Sequence, residues 1–290
     1  MHMKQILVLL MSLAFCIVCQ ARSLEDIQES GHIVVAVYSN YAPYSFQVDG
    51  QPQGIDVEIA QAIANDLNVE LQLLWLTPDE TVEDDLRNAI WKGHIIHRTK
   101  ADLMMRVPYD KAFSLLRDDV GLLVNELVHM FGPYQTESWA VMHSLERLPE
   151  LTTMNYFSYH PVGAEIDSVP HFYLISAFGG RFKQNTTHYK SIEEAVDTLV
   201  KGDIDAVMGL RTQMHYHSHR LGSEQYPIAS MGFPQMAKQQ WDIGMAVHTD
   251  FRALSYAAGD VIMAMLNDGR LESIFAKYHV PLQVPQYYSE

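Results

Sequence analysis

Two arginines stand where short apolar runs end. Arg106 follows residues 101–105, and Arg211 lies two positions beyond residues 205–209. A guanidinium is a planar fork of donors that receives a carboxylate through parallel N–H bonds, so either arginine can hold an acidic group of a small solute. The plainer alternative is an ion pair with a local carboxylate such as Asp110 or Asp167. Asp167 and Ser168 follow a third apolar run, 162–166. Tyr38 and Tyr41 follow a fourth, 33–37, and Trp75 lies near the end of a fifth, 71–76. Small-molecule pockets combine apolar and aromatic walls with a few polar anchors. Tyr38, Tyr41, Trp75, Arg106, Asp167, Ser168 and Arg211 are therefore the candidate ligand contacts, and none is nominated as catalytic. The chain carries no phosphate loop, nucleophile elbow or paired zinc motif. Its densest histidine patch is His215, His217 and His219. On a helix His215 and His219 share a face, but zinc needs a third ligand, and no Asp or Glu lies within three residues. A polar helix surface is the expected role, with no metal and no cofactor.

The elements that must position these residues are legible as alternating patterns. Residues 33–37 (IVVAV) form an unbroken apolar, mostly β-branched run, the mark of a strand buried on both faces. Ile55, Ile59, Ala62, Ile63 and Leu67 recur at helical spacing, 71–76 is the next strand, and 81–92 is a helix ending at Gly93. A short lead-in helix opens at 24–27. Downstream, 162–166, 205–209 and 241–248 are strands. Ser191-Ile192-Glu193-Glu194 is a capping box in which Ser and Glu satisfy free amides at a helix start. Two closing helices flank Asn267-Asp268-Gly269. Strands alternating with helices predict α/β layers with largely parallel sheets. Ligands of such sheets sit beyond the carboxyl ends of the strands, so the tips after Val37, Leu76, Met105, Ile166 and Gly209 are the places for a site.

The formal net charge of −15 argues against any general affinity for nucleic acid or anionic lipid. Lys4 precedes a 14-residue apolar run from Ile6 to Cys19. That run is shorter than the roughly 20 residues of a spanning helix, and with its basic start it predicts a secretory signal, residues 1–21, cut after Ala21. The cut removes both cysteines, Cys16 and Cys19, leaving no disulfide framework and no thiol site. A chain of this length buries an adequate core without such staples.

Four stretches together resemble the family of periplasmic solute-binding proteins that feed polar amino-acid ABC importers. They are Tyr41-Ala42-Pro43-Tyr44-Ser45-Phe46 with Gly54-Ile55-Asp56-Val57-Glu58-Ile59-Ala60; Val128-His129-Met130-Phe131-Gly132-Pro133-Tyr134; Ser191 to Val207; and Gly269-Arg270-Leu271 through Lys277-Tyr278. The resemblance implies a type 2 periplasmic binding fold, two α/β lobes with largely parallel sheets and two hinge crossings. Lobe one would be 24–137 plus 246–290 and lobe two 143–241, with hinges near 138–142 and 243–247. It implies a periplasmic, monomeric, non-enzymatic protein that closes on a small polar solute and meets the membrane subunits of an importer.

Where many such relatives carry an Arg for an α-carboxylate, this chain has Val124. Where they carry an Asp for an α-ammonium, it has Leu210. Where a Gly-Thr or Gly-Ser turn offers bare amides, it has Asp167-Ser168. The usual grip on a zwitterion is thus missing in three places. Arg106, Arg211 or, from the long segment 109–127, Arg117 would have to replace it. Ordinary α-amino acids are expected to bind weakly, and a ligand with a cationic or hydroxyl group near Asp167 and an acidic or carbonyl group near Arg106 or Arg211 is expected instead. Two other functions occur on similar scaffolds: an accessory or sensor protein such as a helper of quinoprotein dehydrogenases, and a dehydratase using Glu165 or Asp167.

Overall fold

The computed structural model describes residues 22–94 and 96–288. The expected signal segment, 1–21, lies outside the described residues. Among the described residues no helix is long and apolar enough to cross a membrane.

The chain opens with α1 (Leu24–Ser30), β1 (His32–Tyr38), a hairpin of β2 (Phe46–Val48) and β3 (Gln51–Gln53), α2 (Ile55–Asp66), β4 (Glu70–Leu76) and α3 (Val82–Leu86). A π-helical turn, Arg87–Trp91, continues α3. Then come β5 (Leu103–Tyr109), the short α4 (Lys111–Ser114), β6 (Val128–His143), β7 (Val162–Glu165), α5 (Val169–Gly180), β8 (Thr186–Tyr189), α6 (Ile192–Lys201), β9 (Ala206–Leu210), α7 (Arg211–Leu221), β10 (Gln240–His248), α8 (Arg252–Asp268) and α9 (Arg270–Lys277).

Eight strands form one continuous sheet in the order β4-β1-β5-β10-β6-β9-β7-β8. β4, β1 and β5 run parallel, as do β9, β7 and β8, while β10 and β6 run against their neighbours. The expected two-lobed α/β architecture is present. β6 pairs with β10 up to Ser138 and with β9 from Trp139 onward, so this one strand passes from one lobe to the other. β10 begins at Gln240, opposite Ser138, and residues 243–247 already pair within lobe one.

Side-chain alternation builds a core on each face of each half of the sheet. In lobe one, Ile33, Val35 and Val37 pack with α2, α8 and α9, whereas Ala36 and Tyr38 pack with Leu86, Ala89 and Ile90. In lobe two, Val141, Ala206 and Met208 face α5, while Ala140, Met142 and Val207 face α6. Ile192, Ala195, Val196 and Leu199 of α6 are all buried, as their spacing predicts. Its cap differs slightly from the expected box. Ser191 Oγ accepts from Glu194 N–H, but the Glu194 carboxylate accepts from Lys190 N–H, one residue further back.

Candidate functional site

The strand predicted at 101–105 runs on to Tyr109, and Arg106 is an extra residue inside it rather than its tip. On β10, Gly244 pairs with Val107 and Ala246 with Met104, so two residues of β5 oppose the single Met245. Arg106 takes up the mismatch at φ 64°. A bulge of this kind re-aims a side chain. Gly244 makes the close pairing possible, because a Cβ there would lie 2.6 Å from Phe131 O.

The re-aimed guanidinium enters a buried network. Arg106 Nη2 is 3.3 Å from Glu137 Oε2, Nη1 is 3.8 Å from Asp56 Oδ1, and Cζ lies 3.1 Å from the Tyr44 ring centroid. Glu137 also accepts from Tyr44 O–H at 2.5 Å, Gln135 Nε2 at 2.9 Å and Ser138 N–H at 3.0 Å. Tyr134 O–H donates to Asp56. Burial pushes the Asp56 carboxyl up, and Arg106 opposes that shift. One cation thus stands between two carboxylates, at a site that costs several kcal/mol per unpaired ion.

A cleft of about 1000 Å³ opens between the lobes. From lobe one it is lined by Tyr38, Tyr41, Asp79, Glu80, Asp85, Arg106 and Phe113. Lobe two contributes Glu165, Ile166, Asp167, Ser168 and Val169, and the crossing strands supply Glu137, Trp139 and Trp241. The two indoles pack with centroids 4.6 Å apart, and Trp139 Nε1–H donates to Lys238 O. Tyr38 O–H donates to Asp85, whose carboxyl burial pushes up. Glu165, on the lobe-two wall, is pushed up to about 7 by burial and then by the charge of Glu193. Asp167 holds the left-handed φ of 59°, and non-glycine residues in such conformations cluster at functional sites. Ser168 caps α5 by accepting from His171 N–H, and its own hydroxyl donates to Glu165 O.

Five of the seven candidates therefore meet in one cleft: Tyr38, Tyr41, Arg106, Asp167 and Ser168. Trp75 does not join them. Strand alternation turns it away from the cleft-side core of Leu74 and Leu76, into a separate cavity with Phe46, Tyr216 and Tyr278. Arg211 does not join them either. It opens α7, is buried, and donates to Pro281 O in the chain's last stretch. Neither cleft arginine-pair alternative is as drawn from sequence: Arg106 is partnered by Asp56 and Glu137, while Asp110 pairs with Lys238 at 2.6 Å. Arg117 is exposed and donates to Gly121 O within its own loop.

Glu137, Trp139, Trp241, Phe113, Asp79, Glu80 and Asp85 are cleft residues that sequence reasoning missed. β6 carries Gly132-Pro133 and then a polar stretch, so it does not read as a strand. The near-equivalence of the two tryptophans on the crossing segments was the available signal. The histidine patch follows the plainer expectation of a helix surface in part only. His217 is buried, and burial pushes it down to about 4, while His219 stacks on His279 at 3.5 Å. Among the described residues no group of three His, Cys, Asp or Glu is arranged to hold a metal ion.

The model of the bacterial extracellular solute-binding proteins, family 3, matches residues 33–281. An ancestral cationic amino acid solute-binding protein superposes with a TM-score of 0.67 at 16% identity, covering 88% of this chain and 99% of the other. An amino acid ABC transporter substrate-binding protein from Streptococcus pneumoniae, bound to L-arginine, superposes with a TM-score of 0.63 at 22% identity, covering 91% of this chain and 100% of the other. At such identities these likenesses concern the fold. A membrane-bound lytic murein transglycosylase F from Actinobacillus succinogenes is 27% identical over 125 residues, 43% of this chain, which spans only 22% of that relative.

Proposed function

Since the chain belongs to family 3 of the bacterial extracellular solute-binding proteins, we propose that it is a periplasmic receptor that closes on a small polar solute and delivers it to the membrane subunits of an ABC importer. The observation that carries this reading is the cleft itself, walled by both lobes and floored by the two strands that join them. A ligand that touches both walls stabilises the closed form in proportion to its preference for that form. The moving body lies within the expected 143–241 and turns against the rest of the chain about a first crossing near 138–142 and a return that falls near Gln240, ahead of the expected 243–247, because those residues pair within lobe one. The change of partner in β6 at Ser138 and Trp139 supports the first crossing, and the Trp139–Trp241 contact lies close to the axis. Tyr38, Tyr41, Arg106, Asp167 and Ser168 form the contact set. Export by a cleaved segment at 1–21 completes the reading. Small-angle scattering with and without the solute that co-purifies tests it. The radius of gyration should fall on binding, and identical curves with saturating ligand would refute closure.

A further inference from the structure

We infer that the cleft is selective for organic amines that carry no carboxylate, resting on the receptor reading above. The two cationic side chains among the described cleft residues are Arg106 and Lys238. Arg106 is flanked by Glu137 and Asp56 and covered by the Tyr44 ring, so its charge is already balanced. Lys238 pairs with Asp110. Arg106 Nη1 has no hydrogen-bond partner, but two carboxylates already face its single charge, and one faces Lys238, so a ligand's carboxylate would add a further anion to each group.

The other place where an anion binds in such folds is a helix start, where free amides point outward. At the start of α5 those amides are used or lacking. His171 N–H is taken by Ser168 Oγ, Phe172 N–H by Ser168 O, and Asp167 N–H by His171 Nδ1. Pro170 has no N–H. What remains is the Val169 amide, two residues from the carboxylate of Asp167.

The carboxylates are distributed the opposite way. Asp79, Glu80 and Asp85 line the lobe-one side and Glu165 and Asp167 the lobe-two side, so a cation between the lobes meets acids from both. Tyr38, Tyr41, Trp139 and Trp241 supply faces for an apolar body and for cation–π contact. A ligand with a basic nitrogen and an apolar or aromatic frame is complementary. The same ligand with an α-carboxylate adds an unpaired anion to an acidic cleft.

Two matched pairs test this by calorimetry: agmatine against L-arginine, and tyramine against L-tyrosine. Each pair differs by one carboxylate. The expected result is that at least one amine binds and that it binds at least tenfold more tightly than its amino acid. Asp167→Asn, which keeps a residue tolerant of the left-handed backbone, should reduce that ratio several-fold. Tighter binding of the amino acid in either pair overturns the inference. So does closure on a co-purified solute bearing a carboxylate while neither amine binds, an outcome that leaves the receptor reading intact. Scattering that shows no closure with any probe or with the co-purified fraction removes both.

Discussion

The two walls of the cleft are built on opposite terms. On lobe one most of the inner polar groups are answered from within: Arg106 and Tyr44 by Glu137, Tyr134 by Asp56, Tyr38 by Asp85, with Arg106 Nη1 and Asp56 Oδ2 left without a hydrogen-bond partner. On lobe two Glu165 and Asp167 stand at the lip, the first with its carboxyl pushed up and the second on a left-handed backbone. A wall cross-linked in this way is ordered before the ligand arrives. A wall of under-compensated acids gains most when a cation arrives, which is the differential interaction that closure needs. The contrast assigns preorganisation to lobe one and the closing energy to lobe two.

The largest expected effect breaks the lobe-one side of this contrast. Glu137→Gln leaves Arg106 with Asp56 alone and weakens the bonds from Tyr44 and Gln135. Loss of one partner of a buried ion group costs about 3 kcal/mol or more, read as a lower midpoint in urea. An unchanged midpoint would mean that the network is not what holds this wall.

On the lobe-two side, the pH dependence should follow Glu165. A bound cation favours the ionised carboxyl, whose folded value is about 7 against an ordinary 4.5. Affinity for agmatine should therefore fall as pH drops below about 7, by up to tenfold per unit, with proton release on binding. Glu165→Gln should weaken binding at pH 8 and flatten the profile. The unliganded fold responds with the opposite sign. A raised carboxyl contributes stability that is full below pH 4.5 and lost as pH rises through about 7, so the Gln variant should also lose this dependence in thermal melts.

Smaller effects sharpen the comparison. Ser168→Ala removes the cap of α5 and should cost about 1 kcal/mol of stability, with the lip residues Glu165 and Asp167 loosened in hydrogen exchange. Lys238→Ala breaks the half-exposed pair with Asp110 across the cleft mouth. It should change stability by less than about 1 kcal/mol, and less still in high salt.

Much of the scaffold was legible in the residues. β1 follows its unbroken apolar run and α2 and α6 follow the periodicities that single faces impose, and all five expected strand tips are followed by cleft residues, Tyr38, Asp79, Arg106, Asp167 and Leu210, although β5 itself runs on past Met105. Arg106 lines the cleft for a reason that its own stretch of sequence does not carry. Its type and place pointed to the site, but the bulge that turns it toward Glu137 depends on β10, which lies far away in sequence. Trp75 and Arg211 lie outside the cleft because one residue of alternation decides a face, and a tip defines only a neighbourhood. Glu137 was illegible, since a charged residue within a Pro- and Gly-containing stretch reads as a linker. Only the pairing of β6 with both β10 and β9 makes it the floor of a cleft.

The central claim is that a cation without a carboxylate is held between acids contributed by both lobes. Mass spectrometry of the small molecules released when protein purified from its native host is unfolded tests it most directly. The account predicts a compound with at least one basic nitrogen and no carboxylate, which raises the melting temperature when added back. A zwitterionic amino acid or a dicarboxylate in its place, with the same stabilising effect, would contradict it.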